Sequence, residues 1–271
     1  FGGDSDSLHG YGIPIACASD GPSGIRMESG LKATQLPIGT LLACSFNIPM
    51  MEELYQMEGR ELVGNEIDTL LGPGINIHRY PLNGRNFEYF SEDPYHAGKM
   101  AAAYVRGIQS KGIAACPKHF AANSQELRRM ANDSVVDERT FREIYTTGFE
   151  IAVKEGKAKS IMSSYNEVNG VYANENRHML QEILVDEWGF DGYVVSDWGG
   201  SNDHVKGVAA GSNLEMPSCG YDSAGEVIEA VRNGKLKEAD LDERVGELVD
   251  AVMELTSGKK LSDKNFDRNA H

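Results

Sequence analysis

Short β-prone runs, each cut off by an abrupt change to polar residues, alternate along this chain with longer amphipathic stretches. That alternation constrains the fold more than any other feature. Ile13 to Ala18, Thr69 to Leu71, Ile113 to Pro117, Ser160 to Ser164 and Gly192 to Ser196 read as buried strands. Between them, Pro49 to Asn65, Tyr95 to Lys111, Glu138 to Glu155 and Met179 to Trp188 carry apolar residues at helical intervals, with Asp137 placed to cap the third. A further βα unit around Gly207 to Glu215, and outer helices from Ser223 to Leu255, extend the pattern. Strand followed by helix, repeated, predicts a parallel sheet covered by helices. The predicted class is α/β, a (β/α)8 TIM-type barrel, irregular or incomplete at its N-terminus, and 271 residues suit one such domain. The rival open sheet lacks support, because no GxGxxG follows the first strand and no GxxxxGK[ST] occurs.

Charge narrows the partners. Asp and Glu number 41 against 26 Lys and Arg, a formal charge of −15. Nucleic acid and anionic membrane are poor partners for such a surface, since both require cations that displace counterions. No apolar run is long enough to span a bilayer, and Phe1 to Gly12 lacks a signal-peptide pattern. Cys17, Cys44, Cys116 and Cys219 show no CxxC or zinc-finger spacing and read as free, mostly buried thiols. No cofactor is expected, and no metal, since no two ligands sit at a recognisable spacing. The compartment is left open, with the unpaired cysteines pointing to the cytoplasm.

In a barrel, chemistry gathers at the carboxyl ends of the strands. Asp20, Asn76 with His78, Lys118 with His119, Tyr165 with Asn166, and Asp197 with Trp198 all fall there. Asp197 ends the run Gly-Tyr-Val-Val-Ser, a place that suits a catalytic carboxylate and a helix N-cap equally. Lys118 and His119 are adjacent, so on a regular strand they point in opposite directions and each needs its own partner. A lysine there could serve a salt bridge or a Schiff base. Asn83 to Pro94 joins planar polar groups to aromatic ones, the combination that grips sugar hydroxyls and the C–H face of a sugar ring.

The stretches Ser19-Asp20-Gly21-Pro22-Ser23-Gly24-Ile25-Arg26, Gly84 to Pro94, Lys118-His119-Phe120, Met162-Ser163-Ser164-Tyr165-Asn166 and Val195-Ser196-Asp197-Trp198, in this order, resemble the N-terminal barrel domain of family 3 glycoside hydrolases of the β-glucosidase branch. The resemblance covers roughly residues 11 to 257. It implies a retaining exo-β-glucosidase with Asp197 as nucleophile. It further implies that Asp20, Arg85, Lys118 and His119 hold the glucose hydroxyls, that Tyr165 hydrogen-bonds the nucleophile, that Met162 lines the pocket and that Trp198 shapes the leaving-group side. Lys118 and Arg85 are expected to keep Asp197 and Asp20 ionised.

The resemblance has limits. Two-domain members of the family take their acid/base glutamate from a second, α/β sandwich domain. Single-domain hexosaminidases use a histidine in a KHFPGHG-like run, whereas here Lys118-His119-Phe120 continues Ala121-Ala122-Asn123. The acid/base is therefore expected from outside this chain. Glu88, Glu92, Glu126, Glu167 and Glu215 read as structural, as do His78, His96, His178 and His204. Residues 1–257 are taken as the barrel domain and 258–271 as a linker-like tail. Expected partners are a β-glucoside or oligosaccharide and a second domain or self-association. A β-xylosidase or other exo-β-glycosidase, and a catalytically weak sugar-binding fragment, are the alternatives.

Overall fold

The computed structural model of the chain describes residue 1, residues 6–26 and 32–257, and residue 271. The tail assigned to 258–271 lies, but for its last residue, outside the described residues. The strands are β1 (Ala18–Asp20), β2 (Thr69–Leu71), β3 (Ala114–Ala115), β4 (Asp133–Ser134), β5 (Ser160–Ser163), β6 (Glu167–Val168), β7 (Val171–Tyr172) and β8 (Tyr193–Ser196). The helices are α1 (Asp6–Gly10), α2 (Gly39–Ala43), α3 (Ile48–Gly64), α4 (Pro94–Gln109), α5 (Glu138–Thr140), α6 (Thr147–Lys154), α7 (His204–Ala210), α8 (Tyr221–Arg232) and α9 (Glu238–Thr256). Residues Phe141–Thr146, between α5 and α6, and His178–Glu187 wind as π-helix.

Local sequence explains the helix starts. The Asn47 side chain accepts from Met50 N–H, and Asp93 accepts from Tyr95 and His96 N–H with Pro94 in the first turn, so each helix begins with part of its free donors satisfied. The fold is α/β. The strands β1–β2–β3 form one parallel sheet and β5–β8 a parallel pair, in the register Met162 opposite Val195 and Ser163 opposite Ser196. Phe120 bridges to Ser163 and links the two groups. No ladder runs from β8 back to β1 among the described residues, so hydrogen-bonded closure of eight strands is not drawn there. The strict alternation is also broken, because β4, β6 and β7 form a small separate sheet with an antiparallel hairpin after Tyr165.

Two apolar clusters organise the molecule. The larger lies between strands and helices and includes Leu62, Leu70, Tyr104, Phe120, Phe149 and Ile161. The smaller joins Ala114, Cys116, Met162, Tyr193 and Val195 from three strands, with Leu71 and Leu214 against it. Tyr193 and Thr69 hydroxyls meet across it at 2.8 Å. Of the four free thiols only Cys116 is buried. The expectation of mostly buried cysteines therefore fails: Cys17 precedes β1, Cys44 follows α2 and Cys219 sits in the loop before α8.

Helix α4 is the most enclosed, packed between α3 and α6. A methyl group on Gly107 would lie 2.6 Å from the Glu52 main-chain oxygen and 2.9 Å from Tyr55 Cβ. Alanine gains about 1 kcal/mol of helix propensity there, but overpacking against backbone costs about 1–3 kcal/mol. Gly107→Ala should lower the thermal midpoint, and an unchanged or raised midpoint would contradict this packing. By contrast α9 buries only Arg244, Val252 and Leu255.

Candidate active site

Segments from many parts of the chain converge on one cavity of about 900 Å³. All eight residues singled out from the sequence line it: Asp20, Arg85, Lys118, His119, Met162, Tyr165, Asp197 and Trp198. Asp20 ends β1 and turns sharply at Gly21, whose φ is +145° and where a Cβ would lie 2.5 Å from Gly24 oxygen. Only glycine fits this turn. The Gly21 N–H donates to Asp20 Oδ1 at 3.0 Å, and Lys118 Nζ donates to the same oxygen at 2.6 Å.

Lys118 and His119 do not face opposite ways; both line the cavity. Regular strand β3 stops at Ala115, and the next residues are stitched between two neighbours instead. Lys118 N–H donates to Pro73 oxygen, Ile75 N–H to Lys118 oxygen, and Phe120 N–H to Met162 oxygen. Asn76 then clamps His119 from both sides, accepting from its N–H at 2.8 Å and donating to its oxygen at 2.9 Å. Arg85 comes from the loop between β2 and α4, which its own asparagines hold in shape. Asn86 Nδ2 donates to Tyr80 oxygen, and Thr40 Oγ1 donates to the oxygens of Asn86 and Tyr89. Glu88 accepts from Arg85 Nε and fixes the guanidinium.

Asp197 follows β8 directly. Its Oδ1 accepts from Trp198 N–H at 2.7 Å, so the cap-like bond considered in the sequence is present. Its Oδ2 is buried, has no hydrogen-bond partner, and lies 3.6 Å from His119 Nε2. Burial outweighs the Trp198 N–H and the charges of Arg85, Lys118 and Arg129, and raises the Asp197 pKa. The nearby cations pull it down without fully offsetting burial. Asp20 behaves the other way: burial raises it, but the charge and hydrogen bond of Lys118, the Gly21 N–H and Arg85 together leave it below the ordinary carboxylate value. Two carboxylates in one cavity are pushed apart, the pattern of sites that assign different tasks to similar groups.

The Tyr165 hydroxyl donates to Trp198 oxygen at 2.6 Å and also stands within hydrogen-bonding reach of the Asp197 carboxylate. Burial and the Asp197 charge push this phenol up to about 12. Trp198 itself is 64% exposed at the cavity mouth. Arg129 also lines the cavity and was not singled out from the sequence. Its guanidinium lies 4.5 Å from the Tyr165 ring centre and donates to Glu126 at 2.7 Å. It stands on a single 3-10 turn in a polar stretch, away from any strand end, so no periodic signal marks it. Met216, beside the Leu214 bridge to Val195, is another unforeseen lining residue.

His119 is fully buried, and burial followed by the charges of Arg85, Lys118 and Arg129 holds its pKa well below the usual histidine value. The folded state therefore keeps a neutral imidazole that the unfolded chain protonates below about pH 6.5. Below that pH the unfolded state binds the extra proton, so this residue makes stability fall as the medium becomes acidic. Urea unfolding at pH 7 and pH 5 should show a loss in the wild type that His119→Gln reduces. An equal loss in both would show that another group controls it.

Among the described residues that line the cavity Asp20 and Asp197 are the only carboxylates, and Glu88, Glu126 and Glu215 are each engaged with a base, Arg85, Arg129 and His204. Residues 5–251 match the sequence profile of the glycosyl hydrolase family 3 N-terminal domain. The chain is 44% identical to thermostable β-glucosidase B of Acetivibrio thermocellus, over 96% of this chain and 36% of that protein. It is 39% identical to an exo-α-(1→6)-L-arabinopyranosidase of Bifidobacterium longum, over 100% of this chain and 37% of that protein. The structure of β-glucosidase 3B from Thermotoga neapolitana in complex with glucose superposes with a TM-score of 0.92 at 41% identity, covering 97% of this chain and 39% of that one. The chain spans little more than a third of the length of these relatives, and it belongs to glycosyl hydrolase family 3, whose N-terminal domain it matches.

Proposed function

We propose that this chain supplies the sugar-binding and nucleophile half of a retaining exo-β-glucosidase, with Asp197 attacking the anomeric carbon. The observation that carries this reading is Asp197 Oδ2, a buried carboxylate oxygen with no partner, facing a cavity lined by Lys118, Arg85 and His119. An oxygen without hydrogen bonds keeps its lone pair available for attack. As the C–O bond to the aglycone breaks, positive charge grows on the sugar ring and the leaving oxygen takes a proton from an acid. A glycosyl ester on Asp197 results, and water then releases the sugar.

Asp20 and Lys118 suit an accepting and donating pair for sugar hydroxyls, and Arg85 and His119 add donors on the same wall. Met162 and Trp198 offer apolar surface to the ring and to the aglycone. The acid/base is proposed to come from outside this chain, from a second α/β sandwich domain. Asp20, held ionised by Lys118, is a poor proton donor, and among the described residues Glu88 and Glu126 beside the site are already paired with Arg85 and Arg129. The strands are proposed to form an irregular (β/α)8-type barrel, a reading supported by the apolar cluster that β3, β5 and β8 share.

The test is mass spectrometry after incubation with a 2-deoxy-2-fluoro-β-glucosyl donor carrying a dinitrophenyl leaving group, which departs without an acid. A stable fluoroglucosyl adduct on the peptide containing Asp197 is expected. An adduct on another residue, or none from folded protein, would remove this assignment. Similarity to an arabinopyranosidase favours one second reading, another exo-glycosidase. Rates with dinitrophenyl glucoside, xyloside and α-L-arabinopyranoside distinguish the two.

A further inference from the structure

Beyond the sugar cavity, three side chains of different chemistry meet where the loop that follows α7 folds back against the first residue of that helix. His204 Nδ1 lies 3.0 Å from Glu215 Oε2, and Cys219 Sγ lies 2.9 Å from Glu215 Oε1. One ligand atom from each of the three falls within 4.8 Å of the others. Around a tetrahedral zinc at about 2.0–2.3 Å, such atoms stand roughly 3.3–3.8 Å apart, so small side-chain rotations would complete the geometry. His204 and Glu215 are partly buried, whereas Cys219 is exposed, which leaves a fourth position open to water. Asp222 and Glu226 on α8 add negative charge around the thiol.

We propose that His204, Glu215 and Cys219 form a binding site for a zinc-class divalent cation, outside the sugar cavity but adjoining its wall. Imidazole, carboxylate and thiolate together match borderline metals such as zinc or cobalt and do not match calcium or magnesium, which take oxygen ligands. Binding displaces the thiol proton to solvent and replaces the Cys219–Glu215 hydrogen bond with two metal bonds. The site is coupled to the cavity by short connections. Glu215 precedes Met216, whose N–H donates to Ser196 Oγ at 2.9 Å and whose oxygen accepts from Gly199 N–H at 2.8 Å. An occupied site would therefore brace the loop that backs Asp197.

Cobalt(II) titration of the metal-free chain tests this, because a thiolate bound to cobalt gives a charge-transfer absorption that carboxylate or imidazole alone does not. A saturable band at one equivalent is expected, absent in Cys219→Ser and retained in Cys17→Ser and Cys44→Ser, the other exposed thiols. His204→Ala should weaken cobalt binding by at least about tenfold, since even outer partners of metal ligands are worth that much. Far-ultraviolet circular dichroism checks that the variants fold. No band in the wild type, a band that survives Cys219→Ser, or unchanged affinity in His204→Ala would each overturn the assignment.

Discussion

Asp197→Asn is expected to abolish covalent capture of the fluorinated donor, slowing glycosylation on the order of 10⁴-fold or more, while making the protein more resistant to heat. The first effect follows from removing the atom that forms the bond. The second follows from the cost of keeping that atom ready. Asp197 Oδ2 is buried and unpartnered, and burial raises its pKa above the unfolded value. A group so shifted penalises the fold fully above its folded pKa and progressively less as the pH falls and it takes up a proton. The amide carries no charge to bury, so the variant's advantage should be clear at pH 7 and shrink in acid. Each kcal/mol relieved should appear as about 2–4 °C in the thermal midpoint. Loss of capture without any thermal gain would mean that Oδ2 is better solvated than the geometry indicates.

Lys118→Met should cut the glycosylation rate constant at subsaturating donor by about 10²-fold. A hydrogen bond to a charged group is worth about 1.5–3 kcal/mol, and the substitution also leaves the Asp20 carboxylate without its 2.6 Å partner. The dinitrophenyl donor is the right substrate because its departure needs no acid and so reads this half of the site alone. Stability should respond to pH with the opposite sign from Asp197. Asp20 has a folded pKa below its unfolded one, so its contribution is present above the unfolded value and is lost as pH falls through the folded value. Lys118→Met should therefore be most destabilised, relative to wild type, near neutrality, and the two proteins should converge in acid. A variant that reacts at the wild-type rate would show that Lys118 only neutralises Asp20 and does not hold the sugar.

Much of this was readable from the amino-acid sequence because the strands that carry the site are uninterrupted apolar runs. β5 and β8 were located to within a residue or so, and with them Met162 and Asp197. Helices α3 and α4 were legible from apolar residues at helical intervals, and the structure adds their caps, Asn47 and Asp93. Strands of two residues carry no periodicity, so β4, β6 and β7 were missed, along with the hairpin that interrupts the alternation. Lys118 and His119 were expected on opposite faces because regular strand geometry was assumed past the point where β3 ends. Arg129 and Met216 reach the cavity through contacts between segments distant in the chain, and His204, Glu215 and Cys219 meet only because the segment 204–219 folds back on itself, and nothing in local pattern announces either.

The uneven packing of the helices bears on how the molecule comes apart. α3, α4 and α6 interlock on the flank behind β1, β2 and β3, where helix glycines allow close approach. α9, the cover nearest β8, buries few residues. Amide protons around α4 should then exchange with deuterium only through global opening, and those of α8 and α9 through cheaper partial opening. In mild denaturant the wall that bears Asp20 and Lys118 would persist as a folded remnant after the wall bearing Asp197 had begun to fray. The ability to form a glycosyl ester would fade while most of the helical signal was still intact.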